Sequence, residues 1–130
     1  MKTLVYGKPY DFLDGIIRWT YVRNPDSLFG LSFGDKFPYE ILTGILAVIL
    51  IFLILREVKS FWSFTYGLLL GGALGNGFDR IKMHEVVDFI DVGISEKLRW
   101  PIFNMADSAV TIGIILIVLL TLLEKKREKD

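Results

Sequence analysis

Residues 41–55 read ILTGILAVILIFLIL, a run without one charged side chain. Two more uncharged blocks follow, FWSFTYGLLLGGALGNGF at 61–78 and SAVTIGIILIVLLTLL at 108–123. A helix rises about 1.5 Å per residue and needs roughly 20 residues to cross about 30 Å of hydrocarbon, so each block must borrow flanking residues to span a bilayer. Residues 37–40 serve the first block and 102–107 the third. As buried helices of a soluble protein, three such blocks in 130 residues would leave too little polar sequence to cover them. The composition agrees, with 52% hydrophobic residues and a mean hydropathy of +0.47. The expected fold is a mainly α membrane protein, a single membrane domain over 1–130 with transmembrane helices at 37–56, 61–78 and 102–123.

The 15 basic and 15 acidic residues cancel, so no global field draws the chain to nucleic acid, and none is expected as a partner. The absence of cysteine excludes a disulfide, a thiolate nucleophile and a zinc-thiolate cluster.

The short link Arg56-Glu57-Val58-Lys59-Ser60 makes the first two helices an antiparallel hairpin. Link and tail (residues 56–60 and 124–130) hold six Lys or Arg in 12 residues, whereas 1–40 and 79–107 hold nine in a much longer stretch. By density, link and tail lie in the cytoplasm, which puts 1–36 and 79–101 outside. Residues 1–36 lack the continuous apolar core of a signal peptide, since Lys2, Gly7, Lys8, Pro9 and Asp11 interrupt it. They read as a small β platform: Trp19 and Tyr21 alternate with Arg18, Thr20 and Val22, and Asn24-Pro25-Asp26 marks a turn. Residues 79–101 read as an extracytoplasmic loop. Gly67, Gly71 and Gly75 stand at four-residue spacing with Gly72 and Ala73 between, one smooth helix stripe along which a neighbouring helix can approach.

Carboxylates beside apolar spans need a reason, because an unpaired charge in hydrocarbon costs at least about 2.5–3.5 kcal/mol. Asp79, Asp88, Asp91 and Asp107 are the candidates. Asp107 opens an apolar run, where capping a helix is its simplest role. Asp79 has Arg80 and Lys82 close by for an ion pair. Asp88, between Val86-Val87 and Phe89-Ile90, is harder to explain as a solvated charge. Two carboxylates a few ångströms apart share one proton, which supplies an acid and a base together. The ionised member activates water against a scissile carbonyl while the protonated one donates to the oxyanion. The 19 positions between Asp88 and Asp107 could be closed by a chain that returns to the membrane. His84, the only histidine, reads as a loop residue, and no metal or cofactor is called for.

Four blocks in order carry a resemblance: Asn24 with Phe29-Gly30; Gly71-Gly72-Ala73-Leu74-Gly75-Asn76 with Asp79-Arg80; Val86-Val87-Asp88-Phe89; and Phe103-Asn104 with Ala106-Asp107-Ser108-Ala109 and Thr111-Ile112-Gly113. Together they resemble lipoprotein signal peptidase (signal peptidase II), from about Asp14 through the third span. The resemblance implies an intramembrane aspartyl endopeptidase of the bacterial cytoplasmic (inner) membrane, acting as a monomer. Its substrate would be a prolipoprotein with a diacylglyceryl cysteine, held in membrane lipid and cut just before that cysteine. It implies Asp88 and Asp107 as the catalytic pair, and Asn24, Asn76, Arg80 and Asn104 as substrate-binding residues around them. Asp79 is the rival catalytic assignment. Family members usually have four spans, and Met1 begins about where the first would have ended, so three are expected here, by truncation or by nature. The platform motif also departs, with Pro25-Asp26-Ser27-Leu28 after the asparagine. The competing expectation is a member that binds lipidated peptide without turnover.

Overall fold

The structure, a computed structural model, describes residues 5–25, 27–28, 31–34 and 36–129. Asp26 of the expected turn and the Phe29-Gly30 pair lie outside the described residues. The elements run β1 (Pro9–Leu13), β2 (Ile17–Asn24), β3 (Ser27–Leu28), β4 (Leu31–Ser32), α1 (Tyr39–Arg56), α2 (Ser60–Met83), β5 (Val86–Val92) and α3 (Met105–Arg127). The chain divides into two units, residues 1–37 with 79–104 and residues 38–78 with 105–130.

The first unit is built on a three-stranded antiparallel sheet of order β1-β2-β5, beside the short β3-β4 pair. Asp14 (φ 40°) and Gly15 (φ 73°) join β1 to β2, and the Ile16 N–H closes on the Leu13 carbonyl at 2.7 Å. Both central residues have positive φ, the type I′ geometry that suits the twist of paired strands and favours Asp-Gly. β2 pairs β5 with Arg18 opposite Asp91, Val22 opposite Asp88 and Asn24 opposite Val86. Phe12, Trp19 and Phe89 touch across the three strands, with centroids 5.7 and 6.0 Å apart. The β platform expected in the N-terminal segment is present, but it draws its third strand from residues 86–92, inside the segment read from sequence as a loop. α2 also runs on to Met83, five residues past the expected helix end. There His84, at φ 59° with its N–H on the Arg80 carbonyl at 2.8 Å, stops the helix in a left-handed cap.

One polar network ties this unit together. Asp91, itself buried, accepts Arg99 Nε at 2.5 Å on one oxygen and Thr20 Oγ1 at 2.9 Å on the other. Arg99 also donates to the Gly15, Ile16 and Asp91 carbonyls at 2.9, 3.3 and 3.2 Å. The guanidinium fork thereby fixes the β1-β2 turn against the far end of β5, using donors that would otherwise be stranded. Nearer solvent, Arg18 bridges Asp11 and Glu96, which holds the Glu96 carboxyl below its ordinary range.

The second unit is helical. α1 and α3 are long and apolar enough to cross a membrane, with mean hydropathies of 2.2 and 2.4 and only 17% and 11% of those windows buried. Buried helices of a water-soluble protein would show the reverse, and α1 exposes Ile41, Leu42, Leu46, Val48 and Ile51, which together face more than half of its circumference. Hydrocarbon is the solvent that tolerates such a surface. α2 has 24 residues, but its glycines, serines and charged last turn keep it below the same hydropathy. Only three residues, Glu57 to Lys59, separate α1 from α2, and Glu57 Oε1 accepts the Val58 and Lys59 N–H groups at 3.0 and 2.9 Å. The close approaches fall on Gly72 against Ala106 and Val110, Gly77 against Thr43, and Gly113 against Leu69. Ordered this way, α2 is antiparallel to both α1 and α3. The expected stripe holds in part: Gly72 and Gly75 meet α3, the latter with the Ala106 methyl 3.2 Å from an added Cβ, whereas Gly67 and Gly71 face open space. At 3.6 residues per turn Gly71 and Gly72 point about 100° apart, so only one side of the smooth patch packs.

Candidate active site

In the first unit, β5 buries Asp88, leaving 3% of the residue exposed. The register with β2 sets Asn24 two rungs away, where its Nδ2 donates to Asp88 Oδ2 at 3.2 Å. The second donor arrives from further along the chain. The Phe103 carbonyl accepts the Phe89 and Ile90 N–H groups at 3.0 and 2.8 Å, and the Phe103 N–H returns to the Ile90 carbonyl at 3.1 Å. That return folds residue 104 back onto β5. Asn104, also buried, donates Nδ2 to Asp88 Oδ1 at 2.9 Å and lies 3.3 Å from the Val87 carbonyl. Each oxygen of Asp88 thus receives one side-chain amide, which fixes the plane of the carboxyl group.

In the second unit, Asp107 is the third residue of α3, within the first turn, where the helix dipole favours a carboxylate. It is not the N-cap expected from its place before the apolar run, because the helix starts two residues earlier, at Met105. Its Oδ1 accepts Nδ2 of Asn76 at 2.8 Å. Gly72 and Gly75 make that reach feasible, since α2 touches Ala106 where any larger side chain would hold the helices apart. The predicted site residues therefore gather as Asn24, Asp88 and Asn104 in one unit and as Asn76 and Asp107 in the other.

The family model described as Signal peptidase (SPase) II matches residues 1–123. The chain belongs to the signal peptidase II family. Two solved structures of bacterial membrane enzymes, obtained by the in meso method at 2.3 and 1.9 Å resolution, are similar to it. The first is 34% identical with a TM-score of 0.83, over 97% of this chain and 77% of that one. The second is 35% identical with a TM-score of 0.80, over 92% and 78%. Signal peptidase II is a family of aspartic peptidases in membranes, consistent with the apolar helices of the second unit.

Within this signal peptidase II chain the other carboxylates have different surroundings. Asp91 is committed to Arg99 and Thr20 and serves the platform. Asp79 Oδ2 accepts the Val87 N–H at 3.4 Å, beside the start of β5. Arg80 is 4% exposed and carries a permanent charge within the first unit. Among the described residues no group of three or more His, Asp or Glu is arranged to hold a metal ion. Sequence reading missed Arg99 and Thr20, whose partner lies on another strand or past a loop, and Gly77, whose neighbour Thr43 lies on another helix. It also passed over Asp14-Gly15, which is the strongest short-range hairpin signal in the chain.

Proposed function

We propose that this member of the signal peptidase II family is an intramembrane aspartyl endopeptidase with Asp88 and Asp107 as its catalytic dyad. Its substrate is a bacterial prolipoprotein carrying a diacylglyceryl cysteine, cut just before that cysteine. The observation that carries the reading is the treatment of the two aspartates. Both are held by asparagine side chains within their own units, at 2.9 and 3.2 Å for Asp88 and 2.8 Å for Asp107. A carboxyl that must exchange a proton with a reacting group needs a fixed direction, and neutral amides supply it.

The pair holds one proton between them. The ionised member takes a proton from water as the water oxygen bonds to the scissile carbonyl carbon, and the protonated member donates to the developing oxyanion. Collapse of the tetrahedral intermediate breaks the C–N bond, and the amine leaves with a proton from the dyad. Asn24, Asn76 and Asn104 position the carboxyls, and Arg80 with these asparagines contacts the peptide and its lipid. α2 completes a three-span bundle in the cytoplasmic (inner) membrane, with the link and tail in the cytoplasm and the platform outside. The protein acts as a monomer.

The test is processing of a purified diacylglyceryl prolipoprotein by the full chain in detergent. Asp88→Asn and Asp107→Asn should each abolish the cleaved product while the protein remains folded and inserted. Cleavage retained by either variant removes that residue from the dyad. Binding of lipidated peptide by the wild-type chain with no product at all would establish the non-catalytic alternative.

A further inference from the structure

At the far end of α3 from Asp107, a cavity of about 430 Å³ opens between the start of α2 and the last turns of α3. Seventeen residues separate Asp107 from Glu124 on that helix, about 26 Å at helical rise, close to the thickness of a bilayer's hydrocarbon. The lining is divided in character. Phe61, Leu120 and Leu123 supply an apolar floor, and Lys59, Lys126 and Arg127 supply three cations around the single carboxylate Glu124. Glu124 Oε1 accepts Lys59 Nζ at 2.5 Å and Trp62 Nε1 at 3.0 Å. That carboxylate raises the Lys59 ammonium's pKa, and the Arg127 charge opposes the rise. Glu124 thus bonds Lys59 and is drawn also to Arg127, and with three cations to one carboxylate the lining keeps a net positive charge above its apolar floor.

We infer that this cavity is a binding site for an anionic phospholipid, with the phosphate against Lys126 and Arg127 and the first acyl carbons over Phe61, Leu120 and Leu123. Charge complementarity selects the occupant. Two cations beside an apolar surface at the level where a helix leaves hydrocarbon match a headgroup phosphate joined to an acyl chain, and a guanidinium can hold phosphate oxygens in pairs. Trp62, with its indole N–H on Glu124 and its ring in the wall, suits the same interfacial level. A free inorganic phosphate would use the cations and leave the floor unused. The site lies a helix length from Asp107, so it holds a resident membrane lipid rather than the substrate's diacylglyceryl group.

The test is native mass spectrometry of the full chain in detergent, titrated with phosphatidylglycerol or phosphatidylcholine, with inorganic phosphate as competitor. The wild type should retain phosphatidylglycerol in preference to phosphatidylcholine, and millimolar phosphate should not displace it. Lys126→Ala with Arg127→Ala should weaken that retention by more than tenfold, at about fivefold per cation near a membrane surface. Lys125→Ala with Lys129→Ala removes the same charge from the same tail without touching the cavity lining and should leave retention within twofold. Equal losses in the two double variants would reduce the effect to a diffuse basic tail and overturn the site. So would equal retention of the two lipids, or displacement by phosphate.

Discussion

Gly72 offers the sharpest test of how the helices position Asp107. A methyl group added there would lie 2.4 Å from Val110 Cγ2 and 2.5 Å from the Ala106 carbonyl oxygen. The valine methyl can rotate away, but the carbonyl is backbone, so α3 must retreat by about 1 Å to restore ordinary contact. Ala106 precedes Asp107, and the Asn76 bond to Asp107 is 2.8 Å long, so a retreat of that size carries it past hydrogen-bonding range. Overpacking of this kind costs about 1–3 kcal/mol, partly offset by a helix-propensity gain of up to about 1 kcal/mol for replacing glycine. Gly71→Ala isolates the packing effect, because it gains the same propensity and nothing lies within 4 Å of its added methyl. The two variants should differ in stability by about 1–3 kcal/mol in favour of Gly71→Ala, by thermal unfolding in detergent. With Asp107 in the proposed dyad, their processing rates should differ by up to about 100-fold, the penalty for a reacting group misplaced by about 1 Å. Equal stability and equal processing would mean that the α2-α3 seam is not closed at Gly72, and that Asn76 does not depend on it to hold Asp107.

The platform makes separate predictions. Arg99→Met leaves Asp91, with a side chain only 8% exposed, without its ion-pair partner; the expected loss is about 3–5 kcal/mol, visible as faster hydrogen exchange at residues 13–17. A smaller loss there than in Arg23→Met, whose pair with Glu85 at 3.6 Å is more exposed, would contradict the role given to the Arg99 fork. Acid should loosen the Arg18-Glu96 contact. The Glu96 carboxyl is held below its ordinary range, chiefly by the Arg18 hydrogen bond, so its contribution is full above about pH 4.5 and is lost as pH falls through the lowered value. Thermal unfolding of wild type and Glu96→Gln should therefore differ at pH 7 and draw together as pH falls through the lowered value, and a gap that widens on acidification would reverse the sign. Asn104→Leu should cost more activity than Asn24→Leu in the processing assay, because Asn104 is the more buried and makes the shorter bond to Asp88.

The features legible in the sequence are those for which composition alone carries the physics. An uninterrupted apolar block needs an apolar solvent whatever its neighbours, so α1 and α3 could be placed before any contact was known. β5 was harder: Val86-Val87 and Phe89-Ile90 are doublets that blur the strand period, and its partner β2 lies more than 60 residues away. The glycines were legible only in part for a related reason. The sequence shows a smooth patch, but only the neighbouring helices decide which of its glycines are used: α3 meets Gly72 and Gly75, and α1 meets Gly77.

The same limit separates the aspartates. Asp88 and Asp91 stand three residues apart in one strand, both buried among apolar neighbours, and nothing in their local sequence says which is structural. Their partners do. Asp91 meets a guanidinium that also grips three backbone carbonyls, so protonating it would cost the platform an ion pair. Asp88 meets the amides of Asn24 and Asn104, which stay neutral at any pH and whose oxygens can accept as readily as their nitrogens donate. Amide partners can serve a carboxyl in either protonation state. For an acid-base residue in an aspartic peptidase that tolerance is the requirement, and it is the physical ground on which the proposed dyad takes Asp88 for the chemistry and leaves Asp91 to the architecture.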